Sequence, residues 1–168
     1  MDESYTKQLE AIVRGFLKPL RGIPYSVAIQ ALTGYKVLPF DLSDKENLKL
    51  LEILKRAAQK ACKESYKRGI FTHRPNEAGN KIEPFVISAL NKMGLKADKP
   101  KTKSGKIKVA GYPDIEIVDK KGRVIYLECK TYNRQTKNQS FRTFYFSPSK
   151  DQKITRDAFH MLLSFELV

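Results

Sequence analysis

GYPDIEIVDKKGRVIYLECKTY, residues 111–132, decides how this chain is read. Apolar and β-branched residues run through Ile115, Ile117 and Val118, then again through Val124, Ile125 and Leu127, so the stretch predicts two strands. Asp119-Lys120-Lys121-Gly122 between them is a hairpin signal. A three-residue loop, a type I turn closed by a glycine in the left-handed region, places Asp119 opposite Arg123. Counting back along that register sets Asp114 opposite Glu128.

Side chains alternate along a strand, so Glu128 and Lys130 share a face with Val124 and Tyr126, while Ile125, Leu127 and Cys129 face a core. Asp114, Glu128 and Lys130 are thus expected to converge at the far end of the hairpin. Two opposed carboxylates repel across a ladder. A divalent cation relieves that repulsion, and hard ions such as Mg²⁺ are held by one or two carboxylates with water and phosphate oxygens. The plainer alternative is a surface ion pair between Glu128 and Lys130, worth under about 1 kcal/mol, which leaves Asp114 unexplained.

Pro113-Asp114 followed by Glu128-Cys129-Lys130 on an apolar strand resembles the PD-(D/E)xK nuclease superfamily, which includes type II restriction endonucleases and archaeal Holliday-junction resolvases. Gly79-Asn80-Lys81-Ile82-Glu83 looks like the helix that brings a further glutamate to the metal in the resolvases. The resemblance covers roughly Gly79 to Leu163. It implies an α/β, restriction-endonuclease-like core, a mixed sheet flanked by helices. It further implies Mg²⁺ as cofactor, with Mn²⁺ able to substitute, held by Asp114, Glu128 and the backbone carbonyl of Cys129. Glu83 would complete the shell directly or through water, with Glu77 as the second candidate. Lys130 would orient or deprotonate the attacking water and stabilise the pentacovalent phosphorus. Glu83 also reads as an ordinary first-turn glutamate placed by the helix dipole. The implied activity is that of a type II restriction enzyme cutting duplex DNA as a homodimer. The other readings are a junction resolvase or repair nuclease, and a DNA-binding module with a relic site.

The charge balance agrees with a nucleic-acid partner. The 168 residues carry 32 Lys and Arg against 18 Asp and Glu, a net charge of +14. Heat-adapted surfaces are also lysine-rich, but with matching glutamate, which is lacking here. A surplus of this size favours a polyanion. No apolar run approaches the ~18 residues that span a bilayer, and the N-terminus lacks signal-peptide order, so a cytoplasmic protein is expected. Cys62 and Cys129 are expected to be reduced and structural.

Along the chain, residues 1–69 read as a helical region that dimerises, contacts DNA or packs on the sheet, and residues 70–168 as the nuclease core. Leu9, Ile12, Val13, Phe16 and Leu17 mark a first helix, and Tyr25 to Thr33 a second, closed by Gly34. Ser43 and Glu46 form a capping box for a third, whose buried face is expected to run through Leu48, Leu51, Leu54, Ala58, Ala61, Cys62 and Ser65, with Gly69 ending it. His73 to Gly79 reads as a boundary, and a helix follows through Ile82, Phe85, Val86, Ala89, Leu90 and Met93. Lys96 to Lys108 reads as a mobile loop leading into a strand near Ile107 to Ala110. Its Lys103, Lys106 and Lys108 either are merely solvated or contact the DNA backbone. After the motif, Asn133, Arg134 and Lys137 are residue types that reach DNA, and Arg142, in an aromatic strand from Ser140 to Ser149, either holds a phosphate or stacks on a ring. Residues 151–164 show helical spacing, with His160 on the helix surface or packed. Phe165 to Val168 opens a strand-like run that closes the sheet or is cut short.

Overall fold

The computed structural model describes residues 3–17, 23–69, 75–133 and 149–167. Helices α1 (Glu3–Leu17), α2 (Tyr25–Thr33), α3 (Lys45–Arg68) and α4 (Pro75–Lys92) precede strands β1 (Lys96–Asp98), β2 (Ile115–Val118), β3 (Val124–Asn133) and β4 (Phe159–Leu167). The strands form one mixed sheet in the order β1-β2-β3-β4, antiparallel at β1/β2 and β2/β3 and parallel at β3/β4.

The hairpin takes the expected register, with Ile115 opposite Leu127 and Val118 opposite Val124. Asp119 N–H donates to Arg123 O at 3.0 Å and Gly122 N–H to Asp119 O at 3.0 Å, with Gly122 at φ 77°. The Asp119 carboxylate accepts from the N–H groups of Lys121 and Arg123, both at 2.9 Å, and from Arg123 Nε at 2.7 Å. Arg123 then donates to Asn47 Oδ1 on α3 at 2.8 Å, tying the turn to the helical layer.

β3 is buried on both faces. Ile125, Leu127 and Cys129 join Ile115 and Ile117 under Ile82, Val86, Ala89 and Leu90 of α4, with Leu50, Leu54, Ala57 and Ala61 of α3 in the same core. On the other face Val124 and Tyr126 pack in a second core with Ile29 of α2, Tyr112, Ile154 and Ala158. α2 ends where Gly34, at φ 79°, donates its N–H to Gln30 O at 2.9 Å.

Several local expectations are corrected. Residues 159–164 are strand, not helix, and run on into the strand-like segment from Phe165 as expected: β4 pairs with β3 from Phe159 opposite Ile125 to Leu167 opposite Asn133. A helix there would have left one edge of the central strand with unpaired N–H and C=O groups. The boundary read at 73–79 gives way at residue 75 to α4, since a proline's fixed φ and missing N–H suit a first helical position. The cap of α3 is Asp44, whose Oδ1 accepts from Glu46 N–H at 2.7 Å and Asn47 N–H at 3.3 Å. Ser43 instead donates to Asp41. The buried face of α3 runs through Asn47, Leu50, Leu54, Ala57, Ala61 and Ser65, leaving Leu48 and Cys62 exposed.

The lysine-rich stretch is also ordered differently. β1 begins right after the turn at Gly94, because Leu95 and Ala97 are the residues the core accepts. Residues 101–107 form a tight turn with Thr102 N–H on Lys106 O at 2.8 Å and Lys103 N–H on Gln152 O at 2.9 Å. No strand follows at 107–110: only Lys101 and Ile107 form an isolated bridge, and Ile107 and Val109 are exposed. The aromatic strand expected from Ser140 to Ser149 falls, up to residue 148, outside the described residues. Among those described, no helix is long and apolar enough to cross a membrane.

Burial opposes ionisation of Asp119, but the bonds from Arg123 and Lys121 N–H outweigh it and hold the carboxyl below its usual range. A group with a depressed folded pKa stabilises above its unfolded value and loses that contribution as pH falls through the folded one. Asp119→Ala is therefore expected to lower stability to urea at pH 7 by about 1–3 kcal/mol. The gap to the parent should close when the same denaturation is run at increasingly acid pH.

Candidate active site

Asp114 stands just before β2, where the ladder ends. Its N–H donates to Leu127 O at 3.1 Å, and its carboxylate accepts the N–H of Cys129 at 2.8 Å. One step outward in the register, Glu128 lies beside it on β3. Glu128 is 6 % exposed. Its Oε1 meets Lys130 Nζ at 2.6 Å, while Oε2 is buried with no hydrogen-bond partner among the described residues. Alternation puts Glu128 and Lys130 on one face, as expected, and the structure brings Asp114, Glu128 and Lys130 together.

Burial and the neighbouring Asp114 carboxyl push the Glu128 carboxyl above its usual range, although Lys130 pulls the other way. The Cys129 thiol between them is pushed up to about 12 by burial and by the same two carboxylates, so it is not a nucleophile near neutral pH. Glu83 comes in from α4, 3 % exposed and ion-paired with Lys99. One turn before it, Gly79 stands close to the carbonyl of Cys129, where an added Cβ would make ordinary contact at 3.9 Å.

The donor set fits a hard divalent cation. A buried carboxylate oxygen on Glu128 with no partner among the described residues, a second carboxylate on Asp114 and the carbonyl of Cys129 are all oxygen donors, and Mg²⁺ normally takes only one or two carboxylates with water. Among the described residues no three His, Cys, Asp or Glu side chains form a ready-made cage. Glu83 is engaged by Lys99, so its carboxylate would have to leave that partner to reach an ion.

A cavity of about 320 Å³ opens onto Glu128 and is lined also by Tyr25, Tyr112, His160, Met161 and Leu162. His160 is packed, on a strand: Nδ1 lies 2.6 Å from Tyr112 Oη and 3.2 Å from Tyr25 Oη. Burial lowers its pKa to about 4, so it is neutral at pH 7.

The other expected DNA contacts divide. Lys103 and Lys106 are exposed on the 101–107 turn, and Lys108 is held by Asp151 at 3.4 Å. Asn133 ends β3, but its side chain, like that of Glu77 and like Arg134, Lys137, Arg142 and His73 altogether, lies outside the described residues. The sequence reading missed two lysines. Lys99 sits on Glu83, and nothing in the sequence set it apart from the lysines around it. Lys153 is 5 % exposed and donates to the carbonyls of Gly111 and Pro113, next to Asp114. Its place in the helical spacing of residues 151–164 gives no sign of this burial.

The family model described as Type II restriction enzyme MjaV family matches residues 19–168. Type II restriction enzyme MjaV of Methanocaldococcus jannaschii is 44 % identical over 181 aligned residues, covering 99 % of this chain and 78 % of that protein. No solved structure matches the chain. By both the family match and the near full-length identity, the chain belongs to the type II restriction enzyme MjaV family.

Proposed function

We propose that this restriction enzyme hydrolyses DNA phosphodiesters in a Mg²⁺-dependent reaction at Asp114, Glu128 and Lys130, on a restriction-endonuclease-like core. The observation that carries the assignment is the buried, half-unpartnered carboxylate of Glu128 set against Asp114 at the end of the hairpin. A divalent ion bound there supplies a more acidic water and a counter-charge for the phosphate.

The side chains divide the remaining work. Asp114 and Glu128 would hold the ion, with the Cys129 carbonyl as a third oxygen and Glu83 as a fourth, directly or through water. Lys130, 45 % exposed in its side chain, reaches out from the Glu128 carboxylate toward solvent, where a phosphodiester arrives. Its ammonium orients the attacking water and offsets the charge that builds on phosphorus in the transition state. The cavity beside Glu128 gives the site an open wall. Lys103 and Lys106 lie on the backbone-tracking surface that the basic composition favours, and Asn133, Arg134, Lys137 and Arg142 are the proposed contacts following the motif.

Two-fold DNA sites are cut symmetrically by a pair of identical subunits, and residues 1–69 offer the surface for pairing, with residues 70–168 carrying the chemistry. Tyr5, Leu9 and Ile12 recur at helical spacing on α1 and are 54 %, 39 % and 55 % exposed, an apolar stripe that a second copy would cover.

With Mg²⁺ the purified protein is expected to cut plasmid DNA into discrete fragments. Asp114→Ala should lower the cleavage rate at least ~100-fold while leaving duplex binding in a gel shift. A uniform smear would mean nonspecific cutting, cleavage of branched DNA alone a resolvase, and no cleavage with Mg²⁺ or Mn²⁺ a binding module. Sedimentation should find the parent dimeric and the Leu9→Glu, Ile12→Glu double variant monomeric; a monomeric parent contradicts the pairing surface.

A further inference from the structure

We infer that Lys153 is a positioning residue: its ammonium, bound between the carbonyls of Gly111 and Pro113, holds Asp114 where a divalent ion can be taken up. The inference rests on the carboxylate site above. Lys153 Nζ donates to Gly111 O at 2.6 Å and to Pro113 O at 3.1 Å, so it grips the chain on both sides of Tyr112 and immediately before Asp114.

A lysine is rarely this buried without a partner, and one at 5 % exposure cannot serve as a surface contact for DNA. Its own segment is fixed on either side. Gln152 donates to Thr33 O at 2.9 Å, Ile154 lies in the second core at 1 % exposure, and Thr155 N–H donates to Tyr126 Oη at 3.0 Å. A rigid anchor thus holds a charged donor against the loop that presents Asp114.

The charges around Lys153 point the same way. Burial, with the repulsion of Lys99 and Lys108, lowers the pKa of the Lys153 ammonium below its usual range, and the carboxylates of Asp114 and Glu128 oppose that shift. Two carboxylates set together before an ion arrives need compensating positive charge nearby. Lys130 supplies it from the solvent side and Lys153 from within. A bonded partner behind a metal ligand fixes the ligand's direction, and its loss costs metal affinity without touching the ion.

Mn²⁺ binding, followed by electron paramagnetic resonance on the DNA-free protein, tests this. Lys153→Met is expected to keep the parent's far-ultraviolet circular dichroism and to lose about tenfold or more in Mn²⁺ affinity. Cleavage by that variant should show a lower kcat with little change in KM for DNA. Lys153→Arg, which keeps the charge and the donors, should restore Mn²⁺ affinity to within about threefold. Unchanged Mn²⁺ affinity in Lys153→Met, or a loss confined to DNA affinity, overturns the inference. If Lys153→Met fails to fold, a folded Lys153→Arg that has lost about tenfold in Mn²⁺ affinity overturns it equally, and one that binds as expected supports it. Asp114→Ala is the control for the site itself: if it binds Mn²⁺ as the parent does, the site assignment fails, whatever Lys153 does.

Discussion

Two carboxylates forced together at the end of a hairpin set the terms for the rest of the molecule. The register that puts Ile115 opposite Leu127 follows from a tight turn with Gly122 in the left-handed region, and it brings Asp114 up beside Glu128. The backbone of both residues is fixed by the ladder, with Asp114 N–H on Leu127 O. A one-residue slip would turn Ile125 and Leu127 out of the core and Glu128 into it, so the burial that stabilises the sheet also enforces the electrostatic conflict. In the proposed reaction, that conflict is what a divalent cation would relieve.

The surrounding fold manages the conflict with basic groups rather than by dispersing the acids. Lys130 takes one oxygen of Glu128, Lys99 takes Glu83, and Lys153 braces the loop before Asp114. Each reaches the site from a different segment: β3, the stretch after β1, and the approach to β4. These ammonium groups partly neutralise the acids they face. The cost is competition, since an ion that draws on Glu83 must displace an ammonium already there.

What could be read from the residues alone was whatever local chemistry dictates. Gly122 and Asp119 specify the turn, the alternation of Ile125, Leu127 and Cys129 specifies the face, and Gly34 specifies the end of α2. What escaped was whatever depends on a distant partner. Ala158, just before β4, and Met161 and Leu162 within it fit a helix as well as a strand, and only the open edge of β3 decides between them. The cap of α3 slipped by one residue because Ser43 and Asp44 both suit that position and only the competing bond from Ser43 to Asp41 separates them. A lysine's letter says nothing of its surroundings, so Lys99 and Lys153 looked like the exposed lysines near them.

The proposed chemistry needs Asp114 and Glu128 together to seat a divalent ion. Crystals grown with Mn²⁺ and measured at a wavelength where manganese scatters anomalously would show whether they do. An anomalous peak is expected between the carboxylates of Asp114 and Glu128, within reach of the carbonyl of Cys129. A fully occupied peak elsewhere, with those two carboxylates turned apart, would contradict it.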